Sequence, residues 1–321
     1  MIYFTRWTVL ICCAVAAHFA SIALAQNYPV KPIRILVGGG PDNAARILGQ
    51  KLTEAWGQQV IIDNRPGAGG QIAAEAVAKG APDGYLMLMF TTTHTINAAL
   101  QPGTYDLLRD FTPVILYSCT PEILVVHPSL PVRSVRELIA LAKARPGQIN
   151  YASSGNCTPV HLAGEKFRHM AGINIVHVPY KGAGPATMDV IGGQVQMMFP
   201  IAPGILPQLG TGKVLALAVT SLQRSRLVPE LPTIAESGLP GFDVTGCNGL
   251  LAPVKTPRAI VDRLNVQVGR DLKQPDVIQR ITSAGYEPID SANSPEHVAA
   301  FIRSEVAKWA KLVKETGAKV D

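Results

Sequence analysis

A two-lobed α/β architecture is predicted by three features of this sequence. It has 321 residues, more than one hydrophobic core of ordinary size organises. Short apolar runs alternate with amphipathic stretches in strand–helix–strand order, the mark of a parallel sheet with helices on its faces. A second series of the same kind begins near residue 122. The formal net charge is +6. It includes no run of like charges and no basic stripe interleaved with aromatics, which excludes nucleic acid as an expected partner.

The elements follow in order. Residues 1–25 carry Arg6, an apolar run "WTVLICCAVAAHFA" and the small residues of "ALA" before Gln26. This reads as a signal peptide cleaved near Ala25/Gln26, with export to the periplasm; the other reading is an uncleaved anchor, for which the run is short. Ile11 before Cys12 argues against lipidation. "IRILV" (33–37) predicts a strand and the next residues a helix from about Asp42 to Trp56. "QVIID" (59–63) leads through "NRPGAGG" to a helix in "QIAAEAVAKG", and "GYLMLMF" (84–90) leads to "TTTHTINAAL". In the second series, "ILVVH" (123–127) precedes a helix in 134–148 with a Ser start, a basic end and a Pro-Gly stop. "INYAS" (149–153), "INIVHVPY", "VQMMF" and "VLALAVT" predict further strands. "GLLAP" (249–253) leads to a helix over about 257–273, and a last helix spans about 295–315.

If the tail returns to the first lobe, two segments cross between lobes, near 120–128 and 243–252. Such a pair forms a hinge, with a ligand cleft beside it. The expected division is 26–121 with 248–321 in lobe 1 and 122–247 in lobe 2. The mature chain keeps Cys119, Cys157 and Cys247. At most one disulfide is possible, and unpaired thiols are expected, because a lobe of this size needs no staple.

"GGGPDN" (38–43) joins a strand to a helix. A dinucleotide fingerprint would place its third glycine at Asn43, and the phosphate-loop pattern is absent. The more general reading is an anion cradle: Gly39, Gly40 and the amides of Asp42 and Asn43 face a carboxylate, helped by the helix N-terminus. The alternative is that Asp42 simply caps the helix. A matching device lies in "NYASSGNCTPVHL", where Ser153, Ser154, Gly155 and Asn156 precede Thr158 at a helix start. Two such loops facing across a cleft would grip one carboxylate from both sides.

Catalysis is not expected. No G-x-S-x-G occurs. Cys157 and His161 are spaced to meet on a helix, but a cleft-edge thiol and a packed histidine account for them. His161 and Glu165 are two metal-ligand candidates where a site needs three or four. Asp63 and Arg65 are expected to tie a turn, and Trp56 and Trp309 to pack in the core. No cofactor or metal is expected.

"YPVKPIRILV", "NRPGAGG", "APDGYLML", "NYASSGNCTPVHLAGEKF", "HVPYKGAGPA", "GKVLALAVTS" and "PTIAESGLPGF" resemble the substrate-binding proteins of tripartite tricarboxylate transporters, the Bug family, from about residue 28 onward. The resemblance implies a two-lobed type II periplasmic binding fold (a Venus flytrap of mixed sheets with a two-strand hinge). It implies capture of a small carboxylate for membrane transporter components, by a monomer. It further implies that Thr92, Thr93 and His94 line the cleft and that Tyr180 and Lys181 form a turn on its second side. An exported hydrolase or oxidoreductase and a sensory receptor are the alternatives. Four departures stand out. The first glycine loop is several residues shorter than usual. Cys157 replaces a common glycine. Pro200 stands where many members carry Asp, which disfavours a ligand amine. Cys247-Asn248 falls where a Trp is frequent.

Overall fold

The computed structural model describes residues 28–317 except 40–41, 101–102 and 290–292. The expected signal peptide and Gly40 lie outside the described residues.

The first series runs β1 (Ile33–Val37), α1 (Asn43–Trp56), β2 (Val60–Asn64), α2 (Gln71–Ala78), β3 (Leu86–Thr91), α3 (Thr92–Leu100) and β4 (Phe111–Pro121). The second is β5 (Ile123–Val126), α4 (Val135–Ala144), β6 (Asn150–Ser153), α5 (Pro159–Ala171), β7 (Val176–Pro179), α6 (Ala183–Ile191), β8 (Met197–Met198), a single helical turn α7 (Ala202–Ile205) and β9 (Leu215–Val219). The chain returns through β10 (Thr245–Pro253) to α8 (Arg258–Asp271), α9 (Pro275–Ser283) and α10 (Pro295–Thr316).

Two five-stranded sheets result, in the orders β2-β1-β3-β10-β4 and β7-β6-β8-β5-β9. Each has a parallel trio and one antiparallel strand in the fourth place: β10 in the first sheet, β5 in the second. This is the two-lobed α/β fold expected from the sequence. In β1 only Arg34 is exposed, as befits a parallel strand covered on both faces. Asp42 starts α1 and Gly57, in the left-handed region at φ 65°, stops it. Arg34 and Arg65 both hold the Asp63 carboxylate, which keeps it below the usual carboxylate range, mainly through Arg34.

Three features differ from the sequence reading. β4 has eleven residues with Pro113 and Pro121 among them, a pattern that does not announce a strand. It is the outermost strand of its sheet, where proline is tolerated. α9 is also unannounced. The thiols are the third: Cys119 and Cys247 form a disulfide, and among the described residues Cys157 is the cysteine outside it. β4 and β10 pair antiparallel with Cys119 directly opposite Cys247, a juxtaposition between residues 128 apart in sequence.

The crossings lie at Glu122 and at Val244–Thr245. The buried Thr220 hydroxyl joins them, accepting the Glu122 N–H at 2.8 Å and donating to the Val244 carbonyl at 2.7 Å. α10 begins against α3 and β4 and ends against α5. Its Trp309 and Leu312 share a core with Leu124 and Phe167 of the second series, so the segment expected in lobe 1 reaches the other lobe's core.

Candidate functional site

The ends of strands from both sheets open on one cavity of about 500 Å³, a size suited to a small molecule. Gly38, Gly39 and Asp42 after β1, Gly69 and Gly70 before α2, and Thr92, Thr93 and His94 at the start of α3 form its first wall. Ser154 and Thr158 before α5 belong to the second, with Pro200 and Ile201 between β8 and α7 and Pro203 within α7. Thr120, Cys247 and Asn248 of the hinge strands, and Tyr286, complete it.

Close backbone approach builds the first wall. A Cβ on Gly38 would stand 2.4 Å from the Gly70 Cα. Gly70 is itself at φ +89°, and a Cβ there would meet His94 Nε2 at 3.1 Å. The short loop after β1 therefore lies directly on the turn before α2, with His94 behind both.

Asp42 both lines the cavity and caps α1, accepting the Ala45 N–H at 2.7 Å. Burial raises its carboxyl above the usual range, against the lowering effect of the Ala45 and Ala44 backbone donors and the neighbouring Tyr117. The donors at this helix end are thus spent on the chain's own carboxylate.

His94 is fully buried, and its Nδ1 lies 3.0 Å from the Thr91 N–H. The Thr91 carbonyl oxygen lies 3.2 Å from the same nitrogen, so the Thr91 backbone presents both a donor and an acceptor to Nδ1. Nε2 has no hydrogen-bond partner of normal geometry. Burial lowers the imidazole pKa from 6.5 to about 4, against the raising effect of the Thr91 and Gly70 backbones. At neutral pH the ring is uncharged on the cavity wall. Because the folded-state pKa lies below the unfolded one, the group's contribution is complete above pH 6.5 and is lost as pH falls towards about 4. His94→Asn, which keeps an acceptor for Thr91, should flatten the fall in stability over that window. The difference in unfolding free energy between the two proteins, read by urea titration at each pH, should change by at most about 1.4 kcal/mol per pH unit.

Thr92 ties α3 to the hinge: its hydroxyl accepts the Cys247 N–H at 2.8 Å. On the second wall Thr158 caps α5, accepting the His161 N–H at 3.3 Å and donating to the Gly155 carbonyl at 2.8 Å. Five expected residues do not line the cavity. Ser153 is buried beneath the loop, its Oγ 2.6 Å from His177 Nε2. Gly155, at φ 130°, turns the chain, and Asn156 follows it without reaching the wall. The Tyr180 hydroxyl donates to Asp189 at 2.6 Å, and Lys181 is exposed in the turn. Cys157 sits at φ 55° with its backbone N–H donating to His161 Nδ1 at 3.0 Å. That nitrogen is therefore not available as a base for the thiol. Gly70, Ile201, Pro203 and Tyr286 line the cavity without having been expected there. Only the glycines of "NRPGAGG" offered a signal, since a close backbone approach calls for them. Among the described residues no group of three or more His, Cys, Asp or Glu side chains is arranged to hold a metal. Among the same residues no helix is long and apolar enough to cross a membrane.

A family model described as the tripartite tricarboxylate transporter family receptor matches residues 44–318. Protein BugT of Bordetella pertussis is 36% identical over 311 residues, covering 95% of this chain and 95% of BugT. Among solved structures, R. palustris Rpa4515 with adipate is similar at a TM-score of 0.82 and 36% identity, over 90% of this chain and 98% of that one. MatC from Rhodopseudomonas palustris with bound malate is similar at 0.78 and 32% identity, over 89% of this chain and 100% of that one.

Proposed function

The chain belongs to the tripartite tricarboxylate transporter receptor family, and from that premise we propose that it captures one small organic carboxylate between its lobes in the periplasm and presents it to the membrane components of such a transporter. The observation that carries this reading is the make-up of the cleft wall. Apart from the Asp42 carboxylate, which caps α1, its polar groups are hydroxyls, the Asn248 side-chain amide, backbone amides at helix starts and an uncharged imidazole, contributed by both lobes. These are groups that hold an anion without reacting with it. The similar proteins solved with adipate and malate support the same ligand chemistry.

In this reading Gly39, Thr92, Thr93 and His94 hold the carboxylate from lobe 1, and Ser154 and Thr158 from lobe 2. Lobe 1 comprises 26–121 and 248–321, lobe 2 comprises 122–247, and the chain acts as an exported monomer without catalysis. The ligand has no amino group, since among the described residues Asp42 is the one acidic side chain on the wall and is already engaged as a cap. Ligand binding across both walls favours the closed arrangement in proportion to its preference for it.

The test is a thermal-shift screen of the chain from Gln26 against mono-, di- and tricarboxylates, aromatic acids and acidic amino acids. A ligand at 100 times its Kd should add about 2.7 kcal/mol of stability and be recovered unchanged after denaturation. Silence across the panel would overturn the carboxylate reading, and recovery of a converted ligand would make the protein an enzyme.

A further inference from the structure

We propose that Glu122 makes the joint between the two lobes sensitive to pH. With its proton on, the side chain packs within a core that elements of both lobes share; with the proton off, it drives that core apart. The inference is independent of what the cleft binds.

The backbone fixes the place of Glu122. It is the one residue between the end of β4 at Pro121 and the start of β5 at Ile123, so the chain passes from one sheet to the other through it. It bridges Ile201 on one side. On the other its N–H donates to the Thr220 hydroxyl, and its carbonyl accepts the Thr220 N–H at 3.0 Å. These bonds extend the register of β5, along which side chains alternate between the two faces of the sheet. Ile123 and Val125 enter one core, Leu124 and Val126 another. Glu122 therefore shares the face of Leu124 and Val126. Their core gathers Phe167 of α5 with Ile96 of α3 and Trp309 of α10, the last two from segments assigned to lobe 1.

Glu122 is 0% exposed, and among the described residues neither of its carboxyl oxygens has a hydrogen-bond partner. The ionisable groups on the elements around this core are engaged elsewhere. On α5, Lys166 donates to the Asp243 carbonyl at 2.9 Å, Arg168 pairs with Glu165, and His161 stacks on His177. On α10, Lys308 pairs with Glu305. His94 of α3 lies against the Thr91 backbone, and Glu287, beside Thr120, accepts the Ser225 hydroxyl. Those of α4, which are Arg136, Glu137 and Lys143, are exposed. A carboxyl group with neither donor nor cation in such a place keeps its proton rather than its charge. Burial accordingly holds the Glu122 carboxyl well above its ordinary range.

The sign follows from that rise. The folded chain holds a proton that the unfolded chain releases above pH 4.5. The contribution of this group to stability is complete below that pH and is lost as pH climbs towards the folded-state value, with a limit of about tenfold in the unfolding constant per pH unit.

Urea titrations in steps between about pH 5 and 8 test this. Glu122→Gln keeps the shape of the side chain and Glu122→Leu removes its polar atoms; neither titrates, and every other group cancels in the comparison. The unfolding constant of the unaltered protein, divided by that of either variant, is expected to rise at least tenfold across the range. Amide exchange, corrected for its intrinsic pH dependence, locates the effect. The Thr220 and Val244 amides donate to the Glu122 and Thr220 carbonyls at the two crossings. Across the same range they should lose at least tenfold more protection in the unaltered protein than in a variant. A ratio of unfolding constants that stays level with pH in the variants that fold would overturn the inference. So would a rising ratio in which Thr220 and Val244 lose no more protection than they do in a variant, since the proton would then act away from the joint.

Discussion

Replacing both Cys119 and Cys247 by serine is expected to lower the unfolding free energy by about 3–5 kcal/mol. The disulfide closes a loop of 128 residues that contains the whole second series of strands. Most of the effect arises in the unfolded chain, which regains the freedom the cross-link denies it. The native β4–β10 pairing keeps its backbone ladder, so the secondary structure should be unchanged. Urea denaturation by circular dichroism reads the result. The unaltered protein treated with reductant should move to the midpoint of the double variant. A midpoint unmoved by either treatment would show that the two thiols are not joined in the protein. Because Cys247 also lines the cleft, calorimetry on the double variant separates lost stability from lost binding.

Gly38→Ala should strike the site more than the fold. Its methyl group would stand 2.4 Å from the Gly70 Cα and 3.0 Å from the Gly70 carbonyl oxygen. Both obstacles are backbone, so no side chain can swing aside. The loop after β1 and the turn before α2 must separate, at a cost of about 1–3 kcal/mol, and His94 loses the seat it has behind Gly70. Ligand affinity is expected to fall by tenfold or more while the helix content stays. Gly39→Ala is the control: nothing lies within 4 Å of its added carbon, and its stability should match the parent. Full affinity in Gly38→Ala would mean that this loop does not position the grip.

The sequence and the structure divide the site between them at identifiable residues. Ser154 and Thr158 were legible because each sits where a strand pattern hands over to a helix pattern, a local event, whereas Thr92, Thr93 and His94 were expected from the family resemblance alone. Ser153, Gly155 and Asn156 belong to the same local segment as Ser154 but not to the wall, and Tyr180 and Lys181, expected from the resemblance, lie off it as well. Which atoms of a loop face a cavity depends on how deeply the loop is seated, and Ser153 is seated against His177. Asp42 answers the question posed by its own sequence twice over, as a cap and as a wall residue. Tyr286 had no local signal: it lies far along the chain, beyond a helix that the pattern did not announce.

By itself the sequence determined the two series of strands and helices, the glycine-bearing strand–helix turns and the family resemblance, all of which rest on patterns a few residues long. Only the tertiary structure decided that Cys119 meets Cys247, that Gly38 lies on Gly70, and that Ile201, Pro203 and Tyr286 line one cavity with Thr92 and His94. Each is a contact between residues far apart in the chain. Periodicity reports which face of an element is buried; it carries no record of which other element covers that face.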